Sequence, residues 1–438
     1  MENKSFITPR KLQGFWELMP NEEILFSTLL NKLEKVFQEN CFVPLDTPVL
    51  EYSETLLAKS GGDTDNEIYR FSKGDTDMCM RYDLTVPLAR FVSMHKNELN
   101  FPFKRYQIGK VYRGERPQKG RFREFYQCDA DIIGNESLSM VADAECVSLF
   151  DKCFKALNLD TIIHISNRKI LNGYIENLQK QDKTNNILIL LDKLAKITHE
   201  DAVNSLTNIG LTENQANDII CFAQTTGTIE EIEKQITKQQ QNESLQTGFC
   251  ELKEVDKFLK QMNCKDYIFD LSIIRGHNYY TGTVFEGFLK NGKISSALGG
   301  GGRYQNLCSY FSDKEMPGVG MSVGVTRLFS LLMEENMFDI SNCSNIDCVV
   351  ITFDETFNEG LKIVQTLREK GVKAEIFYEN KSFKSQMKEA NKRDVNFVLI
   401  VGEEEVQTQN YTLKNMKTSE QQKISLDKIV EIVKKTQK

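Results

Sequence analysis

Residues 103–134, "FKRYQIGKVYRGERPQKGRFREFYQCDADIIG", place two alternating apolar runs on either side of a charged middle that contains proline and glycine. This pattern predicts two strands joined by a long loop. The middle, residues 114–125, holds four cations and two carboxylates. A solvated surface loop is the simplest interpretation of such a charge run, but the remainder of the chain favours a loop that binds an anion.

Length and composition indicate a globular protein of several domains. The chain has 438 residues, of which 40% are hydrophobic and 27% are charged, and this length allows two or three domains with full cores. Its net charge of −7 gives no global reason to expect a nucleic-acid or membrane partner. Contact with a polyanion must therefore come from local cationic patches such as residues 114–125.

The cysteines and histidines exclude the common metal and disulfide frameworks. The eleven cysteines are scattered singly, no C-x2-C pair occurs, and the four histidines lie far apart, so a zinc ribbon or a disulfide ladder is not expected. The first twenty residues lack the apolar core of a signal peptide, and no run of 18 apolar residues exists. These features predict a cytoplasmic protein with reduced cysteines, no membrane segment and no protein-caged metal.

The first third of the chain alternates helices with extended segments. Apolar residues at helical spacing predict a helix over 21–40. Residues 41–51 form an extended run with two prolines, which we expect at an edge or an interface because proline cannot donate to a sheet. Residues 78–90 predict a strand that leads into a helix, and a further helix is expected over about 136–157.

The remainder divides into three parts. Residues 165–265 are rich in Lys, Gln, Asn and Glu, and their periodic apolar residues predict packed helices rather than disorder. Strand-like, glycine-bearing sequence returns over 266–335, and residues 346–438 show the βαβ pattern of a separate domain. We therefore predict one domain from 1–164 with 266–335, a helical insertion at 165–265 and an α/β domain at 346–438.

The glycine-rich segments do not match the common phosphate-binding loops. "GVGMSVG" (318–324) is one residue too long for a dinucleotide fingerprint, and no Walker A sequence occurs. "GGGG" (299–302) follows an expected strand, where bare backbone would let a ligand lie close. A tight bulge or turn explains these four glycines equally well.

Four arginines lie in segments that are otherwise apolar or glycine-rich: Arg113, Arg121, Arg275 and Arg327. The guanidinium group is a planar fork of donors that suits bidentate phosphate and carboxylate contacts. Buried cations without an anionic partner are costly, so several converging arginines favour a bound nucleoside triphosphate. Ion pairs within the core are the alternative for one or two of them.

Polar side chains lie near the same strands. Gln127, Asp129 and Asp131 are spaced by two residues and would share one face of a strand, with Asp83 and Glu115 close to them in sequence. Such a row would suit a cationic or hydrogen-bond-donating small substrate. Inward polar residues that pair with the arginines are the structural alternative.

With these motifs in place, the sequence resembles the histidyl-tRNA synthetase family of class II aminoacyl-tRNA synthetases along essentially its whole length. "FVPLDTPVLE" (42–51), "YRGERPQKGRFREFYQCDADIIG" (112–134) and "GVGMSVGVTRL" (318–328) are similar to class II motifs 1, 2 and 3. The more specific signatures are "RGHNYYTGTVFE" (275–286) and "GGGGRYQNL" (299–307).

The resemblance implies an α+β fold, in which an antiparallel-sheet catalytic domain carries the helical insertion and is followed by an α/β anticodon-binding domain. It also implies the activity: L-histidine is activated with ATP to histidyl-adenylate and transferred to the 3′ end of tRNA(His), with release of AMP and pyrophosphate. The implied partners are tRNA(His), L-histidine and ATP, with Mg²⁺ that the protein does not cage. A homodimer without membrane contact is expected.

For ATP, the resemblance implies that Arg113 binds the α-phosphate, Glu115 the adenine amino group and Arg121 the γ-phosphate. Phe125 would stack on adenine, and Arg327 would contact the triphosphate from the other side. Arg113 and Arg275 are the implied catalytic residues, because each would stabilise charge that develops as the adenylate forms.

For histidine, Asp83, Thr85 and Gln127 would bind the ammonium group, whereas Asp131 and Tyr280 would address the two imidazole nitrogens. A pocket that matches both nitrogens rejects an apolar isostere. The complete implied set of histidine-binding residues is Asp83, Leu84, Thr85, Arg113, Gln127, Asp131, Arg275, Tyr279, Tyr280 and Tyr304.

The chain departs from the family at two places. His277-Asn278 stands where the family usually has Leu-Asp, and Gln305 stands where it usually has Asp. We still expect activity because every implied ligand-contacting position is intact. The rival interpretations are a histidine-sensing regulatory subunit of ATP phosphoribosyltransferase, a tRNA-sensing module of a signalling protein, and a nucleotide-binding role for 346–438 alone.

Overall fold

The computed structural model describes residues 7–57, 67–118, 120–235, 242–275, 280–305, 308–338, 345–379 and 381–436. The chain divides into two compact units, Met1–Glu17 with Leu29–Glu335, and Leu18–Thr28 with Asn336–Lys438. Helix α1 (Pro20–Glu39), which agrees with the helix predicted over 21–40, contributes residues to both units.

The first unit is built on a large sheet. Its described strands are β1 (Val43–Pro44), β2 (Leu50–Tyr52), β3 (Arg70–Lys73), β4 (Thr76–Met80), β5 (Phe103–Tyr112), β6 (Glu124–Ile133), β7 (Thr161–Asn167), β8 (Thr226–Gly227), β9 (Tyr267–Asp270), β10 (Tyr280–Leu289), β11 (Gly299–Tyr304) and β12 (Gly318–Val323). Nine of these described strands form one sheet in the order β1-β5-β6-β12-β11-β10-β7-β9-β8, and the others form a small sheet in the order β2-β4-β3. Within the large sheet, only β1–β5 and β7–β9 are parallel among the described pairs.

Helices surround this sheet, and the mixed architecture confirms the expected α+β class. The described helices after α1 are α2 (Ser53–Leu57), α3 (Thr85–His95), α4 (Val141–Ala156), α5 (Arg168–Asn177), α6 (Thr184–Leu191), α7 (His199–Asn208), α8 (Glu213–Ala223), α9 (Ile229–Gln235), α10 (Glu243–Gln261) and α11 (Val325–Glu334), with 3₁₀ turns at Gln181–Lys183, Leu194–Lys196 and Cys308–Tyr310. Over the described ranges, none of the helices is long and apolar enough to cross a membrane.

The predicted hairpin is present as β5 and β6, which pair antiparallel from Phe103↔Ile133 to Tyr112↔Glu124. Successive side chains on a strand point to opposite faces of the sheet. Cys128, Ala130 and Ile132 therefore face away from Gln127, Asp129 and Asp131, and this apolar set is fully or almost fully buried. The alternation of β6 separates an apolar face from a polar one.

Helix α4 covers the apolar face of the central strands. Phe150 of α4 makes an edge-on contact with Phe285 of β10, with 5.5 Å between the ring centroids. A buried ion pair adds a polar link, because Arg303 of β11 donates from Nε to Asp143 of α4 at 3.1 Å. The helix begins at Val141 rather than near 136, where the preceding residues form a turn in which Glu136 has a positive φ of 65°.

The helices α5 to α10 agree with the helical content predicted for residues 165–265. Helices α5 and α10 approach closely, since a Cβ added to Gly173 would lie 2.6 Å from the backbone nitrogen of Leu245. Tyr174 and Phe222 stack with ring centroids 4.2 Å apart. The short strand β8 lies inside this stretch and was not expected from the periodicity; the domain boundaries themselves stay a prediction.

The second unit carries the βαβ pattern expected for the end of the chain. Its described elements after α1 are β13 (Cys348–Thr352), α12 (Phe357–Glu369), β14 (Ala374–Ile376), α13 (Phe383–Lys392), β15 (Phe397–Val401), α14 (Glu403–Thr408), β16 (Tyr411–Asn415), β17 (Gln421–Ile424) and α15 (Leu426–Thr436), with a 3₁₀ turn at Asp354–Thr356. The strand order is β14-β13-β15-β16-β17. Strands β14, β13 and β15 are parallel, as βαβ connections require, whereas β16 and β17 extend the sheet antiparallel.

A second buried ion pair lies on the polar face of the large sheet. Arg105 of β5 and Asp131 of β6 are register partners, and Arg105 Nη2 lies 2.6 Å from Asp131 Oδ2. Arg105 also donates from Nη2 to the carbonyl oxygen of Leu84 at 3.2 Å, and Asp131 accepts from the Tyr304 hydroxyl at 2.9 Å. The pair therefore connects β5, β6, β11 and the residue that precedes α3.

We predict that Arg105→Met lowers the free energy of unfolding of the first unit by about 3–5 kcal/mol, because it leaves Asp131 buried without its cationic partner. Methionine keeps much of the arginine volume and so limits the loss of packing. The measurement is urea unfolding followed by fluorescence of the single tryptophan, Trp16, which belongs to this unit and stacks on Phe122 with 5.1 Å between ring centroids.

The matched control is Arg70→Met. Arg70 also pairs with an aspartate, Asp77, but both side chains are exposed on β3 and β4, so solvent screens the pair and we expect a much smaller change. Equal effects of the two substitutions would contradict the assignment of the Arg105 pair as an important buried interaction.

Candidate active site

A cavity of about 670 Å³ opens on the polar face of the large sheet. Its floor comes from one face of four adjacent strands, β6, β12, β11 and β10, and register partners across them line the same cavity: Asp131 beside Gly320, and Asp129 beside Ser322. The volume is typical of a pocket for a small molecule. The sheet thus places side chains from distant parts of the sequence around one space.

Arg113 follows β5, lines the cavity and lies over two aromatic rings. Its guanidinium carbon lies 4.3 Å from the ring centroid of Tyr82 and 5.1 Å from that of Phe125. Its Nε donates to the carbonyl oxygen of Tyr82 at 3.3 Å. These cation–π contacts fix the plane of the guanidinium group.

Two further arginines face the same space from the hairpin loop and from α11. Arg121 lies 3.3 Å from Glu115, and the side chain of Arg327 lies next to Gly120, where an added Cβ would come within 3.4 Å of it. Burial lowers the pKa of Arg327, and the positive charge of Arg121 lowers it further. Two guanidinium groups that repel each other in a partly buried cavity create a strong preference for an anion.

Arg275 reaches the cavity from a left-handed backbone conformation, with φ of 59°. A non-glycine residue rarely adopts such a φ, and such strain concentrates at functional sites. Its Nη1 donates to Glu286 Oε1 of β10 at 2.7 Å. The contact holds the guanidinium group above β11, where a Cβ on Gly300 would lie only 2.9 Å from Arg275 Nη1.

The four glycines at 299–302 form strand β11, not a turn. Along this strand an added Cβ would meet a backbone oxygen of a neighbouring strand at 2.1–2.7 Å at every position. Gly300 and Gly302 line the cavity, so bare backbone forms part of its floor. The structure therefore favours the interpretation that these glycines let a ligand lie close to the backbone, rather than that they form a turn. The irregular strand pairing lies on the partner strand, between Tyr280 and Val284 of β10.

Acidic and amide groups also line the cavity. Asp83 precedes α3 and accepts the backbone N–H groups of Thr85 and Val86 at 3.1 and 2.9 Å. Burial raises the pKa of Asp83, and these hydrogen bonds oppose the rise. Burial likewise raises the pKa of Asp131 against the opposing charge of Arg105.

Between Gln127 and Asp131 lies Asp129, for which the resemblance implied no role. Burial raises the pKa of Asp129 to about 7, and the neighbouring charge of Asp131 adds to the rise while Arg105 opposes it. Gln127 Nε2 donates to Ser322 Oγ at 2.9 Å. Asp129 and Asp131 thus share one face of β6 but have different hydrogen-bond partners: Ser322 for Asp129, and Arg105 and Tyr304 for Asp131.

The structure brings nearly all of the predicted residues together. The cavity is lined by Asp83, Thr85, Arg113, Glu115, Arg121, Phe125, Gln127, Asp131, Arg275, Tyr280, Tyr304 and Arg327. The side chain of Leu84 is fully buried and does not line the cavity, although its carbonyl oxygen accepts from Arg105. Tyr279 and the His277-Asn278 departure lie outside the described residues, and Gln305, at the end of β11, is half-buried. The individual roles stay predictions.

Sequence reasoning missed several residues of the site. Arg105 escaped notice because its own strand does not show which residue it faces, although it stands opposite Asp131 when the hairpin is paired from its ends. Glu286 and Ser322 lie in the quoted segments 275–286 and 318–328 but received no role, and only the strand order makes Ser322 a neighbour of Gln127 and Glu286 a partner of Arg275. Across the described ranges, no cluster of three or more His, Cys, Asp or Glu side chains is placed to hold a metal ion.

Comparison with known proteins gives the same result along the whole chain. Residues 14–328 match the model of the family described as histidyl-tRNA synthetase, and residues 347–436 match that of the anticodon binding domain. The protein named Histidine--tRNA ligase of Clostridium tetani (strain Massachusetts / E88) is 41% identical over 436 residues, which cover 98% of this chain and 99% of that protein.

Solved structures agree in fold. The crystal structure of histidyl-tRNA synthetase from Nostoc sp. PCC 7120 superposes with a TM-score of 0.90 at 32% identity and covers 98% of this chain and 100% of that one. A structure titled ATP phosphoribosyltransferase regulatory subunit/histidyl-tRNA synthetase, from Bacillus halodurans, gives a TM-score of 0.74 at 20% identity, with 91% of this chain and 99% of that one covered; at that identity it shows the fold alone. On the full-length sequence identity and the family match, this chain belongs to the histidyl-tRNA synthetase family.

Proposed function

We propose that this chain is an ATP-dependent histidine–tRNA ligase. It activates L-histidine with ATP to histidyl-adenylate and transfers the histidyl group to the 3′ end of tRNA(His). The observation that carries the proposal is one cavity lined both by four arginines, Arg113, Arg121, Arg275 and Arg327, and by the acceptors Asp83, Gln127 and Asp129. A triphosphate complements the arginines in charge, and the cationic ammonium group of an amino acid complements the acidic and amide acceptors.

The proposed first step needs no covalent intermediate on the protein. The carboxylate of histidine attacks the α-phosphorus of ATP, the bond to the bridging oxygen of pyrophosphate breaks, and pyrophosphate leaves. The contribution of the chain is to hold the two substrates in line and to stabilise the charge that builds up on the phosphate oxygens. Arg113 is suited to the α-phosphate because its plane is already fixed between Tyr82 and Phe125.

Phe125 and the remaining arginines would organise the rest of ATP. Phe125 is proposed to stack on adenine, with Glu115 accepting from the exocyclic amino group. Arg121 would contact the γ-phosphate and Arg327 the triphosphate from the other side, and the phosphate charge would offset the burial and the repulsion by Arg121 that lower the pKa of Arg327. Arg275, held by Glu286, would contact the histidine carboxylate and the α-phosphate in the transition state.

Magnesium is expected to enter with ATP. Mg²⁺ takes oxygen ligands and usually binds through substrate phosphates with one or two carboxylates. Glu115 and Glu286 line the cavity and are ligands of this kind, but each is paired with an arginine. We therefore propose that the ATP phosphates would provide most of the ligands of Mg²⁺, which would supply positive charge beside the pyrophosphate group.

The second unit is proposed to bind the anticodon of tRNA(His). A small cavity of about 220 Å³ lies where β13 and β14 end, and its lining includes Phe353 and Tyr378. Tyr378 is 80% exposed, and Phe353 stacks on the partly exposed Phe383 with 6.0 Å between ring centroids. Exposed aromatic rings beside a cavity suit the stacking of unpaired bases.

We also propose a homodimer, acting in the cytoplasm. Strand β1 is the edge strand of the large sheet, and Val43 in it is 47% exposed. Val49, Leu50 and Tyr52 follow closely and are also exposed. A cluster of exposed apolar side chains at a sheet edge favours an interface, and a second copy would cover it.

The histidine-sensing regulatory subunit is the remaining rival. It shares the fold, but a sensor has no need for four arginines that line one cavity, and residues 347–436 match an anticodon binding domain. Activity assays separate the two interpretations directly.

The ligase proposal predicts that the wild-type chain catalyses histidine-dependent exchange of labelled pyrophosphate into ATP. Arg275→Ala should lower the exchange rate about 10²- to 10³-fold, as loss of one group that stabilises the transition state does. Arg70→Ala, which removes an exposed arginine outside the cavity, should leave the rate unchanged. Histidine binding by the wild type without any exchange would refute the ligase proposal and favour the sensor.

The dimer proposal predicts that the wild type has twice the chain mass of 50.3 kDa in light scattering after size-exclusion chromatography. Tyr52→Glu should shift the protein towards the monomer, because it places a charge in the proposed apolar interface; Tyr52 is 62% exposed in one chain. Leu361→Glu, an equally polar change at an exposed position of α12, serves as the control. A monomeric wild type would contradict the proposal.

The anticodon proposal predicts that Tyr378→Ala lowers kcat/KM for tRNA(His) in aminoacylation about fivefold to a hundredfold, in line with about 1–3 kcal/mol for one base stacked on an aromatic ring. Pyrophosphate exchange should not change, since that step needs no tRNA. Tyr378→Phe keeps the ring and should behave as the wild type. Full aminoacylation by Tyr378→Ala would remove this residue from the proposed surface.

A further inference from the structure

Two buried oxygen atoms in the cavity have no hydrogen-bond partner among the described residues: Asp129 Oδ1 and Gln127 Oε1. Buried polar atoms are almost always paired, so each exception needs an explanation. Both residues lie on the same face of β6 and line the cavity. An amide oxygen and an ionised carboxylate oxygen can only accept, which points to a ligand that donates.

The neighbouring contacts explain why these two acceptors remain. Gln127 Nε2 donates to Ser322 Oγ at 2.9 Å, so the amide nitrogen is engaged and its oxygen is left over. The Ser322 hydroxyl in turn hydrogen-bonds to Asp129 and lowers its pKa. Gln127 thus donates to Ser322, and Ser322 hydrogen-bonds to Asp129. Gln127 Oε1 and Asp129 Oδ1 remain as buried acceptors without a donor among the described residues.

The other cavity carboxylates already have donors. Asp131 has Arg105 and Tyr304, and Asp83 has two backbone N–H groups. The glutamates are likewise engaged, since Glu115 pairs with Arg121, Glu286 with Arg275, and Glu67 accepts from Tyr82. Among the described cavity-lining carboxylates, Asp129 is thus the one with a fully buried oxygen that has no donor.

The chemistry of these two acceptors selects one part of the substrate. A buried carboxylate is stabilised best by a cation, and two neighbouring acceptors are served best by a group with several N–H donors. The α-ammonium group of an amino acid carries a positive charge and three donors. A neutral imidazole ring offers a single N–H and no charge.

On this basis we propose that Asp129, for which the family resemblance gave no role, is a substrate-binding residue that accepts a hydrogen bond from the α-ammonium group of histidine together with Gln127 Oε1. This inference rests on the proposed ligase function and adds a residue to its amino-acid site. Asp129 would supply the negative charge, and Gln127 a neutral acceptor.

Histidine binding should then depend on the ionisation of Asp129. Its carboxyl is ionised above its pKa of about 7 and protonated below it, so affinity for the ammonium group is expected to fall as the pH falls through 7. The charged groups that face Asp129 are Arg105 from β5, Asp131 from β6 and Asp83 before α3. Its polar neighbours are Ser322 from β12 and its register partner on β5, Gln107. Asp129→Asn should remove this component of the pH dependence.

The test compares two ligands by titration calorimetry at pH 8 on the wild type and Asp129→Asn. Histidinol keeps the ammonium group and the imidazole ring, whereas imidazolepropionate keeps the ring and the carboxylate but has no ammonium group. The substitution should weaken histidinol binding at least tenfold and leave imidazolepropionate binding unchanged. In pyrophosphate exchange it should raise KM for histidine by a similar factor with little effect on KM for ATP.

Asp151→Asn is the matched control. Asp151 is a buried aspartate of α4, it also has one oxygen without a partner, and it lies outside the cavity, so its substitution should leave both ligands unaffected. Unfolding followed through Trp16 verifies that each variant is folded.

Two results would overturn the inference. Equal weakening of both ligands by Asp129→Asn would assign the residue to the imidazole ring or to support of Arg105. Unchanged histidinol binding would show that the ammonium group lies elsewhere. In both cases the wild type would still bind histidine and catalyse exchange, so the ligase proposal would stand. The ligase proposal itself would fail on a different result, the absence of exchange by the wild type.

Discussion

The Arg105–Asp131 ion pair is the interaction on which the rest of the active site depends. An aspartate buried in the floor of a cavity needs a cation or several donors, and β5 supplies the cation directly opposite it while Tyr304 supplies a hydroxyl. These contacts fix the relative positions of β5, β6 and β11, and through the Leu84 carbonyl oxygen they also fix the start of α3. Because these contacts hold the strands in place, further acidic side chains can lie on the polar face of the sheet without separating the strands.

The second constraint is space. Strand β11 lies between β10 and β12 with glycine at four successive positions, and a side chain at any of them would meet backbone atoms of the neighbouring strands. On the cavity side this leaves room for Arg275 and for a ligand to lie against the sheet. On the opposite side it lets Phe150 of α4 approach the strands. One run of glycines thus serves both the binding site and the core.

The charged and polar groups whose interactions within the protein are incomplete indicate which ligands the cavity binds. Burial and the neighbouring charge of Arg121 lower the pKa of Arg327, which favours a bound polyanion. Asp129 and Gln127 each keep a buried acceptor without a donor among the described residues, which favours a cationic donor. In the proposed reaction a nucleoside triphosphate and an amino acid would satisfy these groups, and Arg113 and Arg275, which line the same cavity, would act on the bond that forms.

The sequence by itself determined the local elements: the 103–134 hairpin from its alternation, α1 from its helical period, and the row of Gln127, Asp129 and Asp131 from spacing by two. Motif resemblance added the family and most of the cavity residues. Only the tertiary structure decided that Arg105 neutralises Asp131 and that Glu286 holds Arg275. It also decided that Ser322 hydrogen-bonds to Asp129 while Asp129 Oδ1 has no donor among the described residues. The reason is physical. Periodicity reports which face a residue occupies, whereas a partner is set by strand order and register, which join residues as far apart in sequence as Gln127 and Ser322.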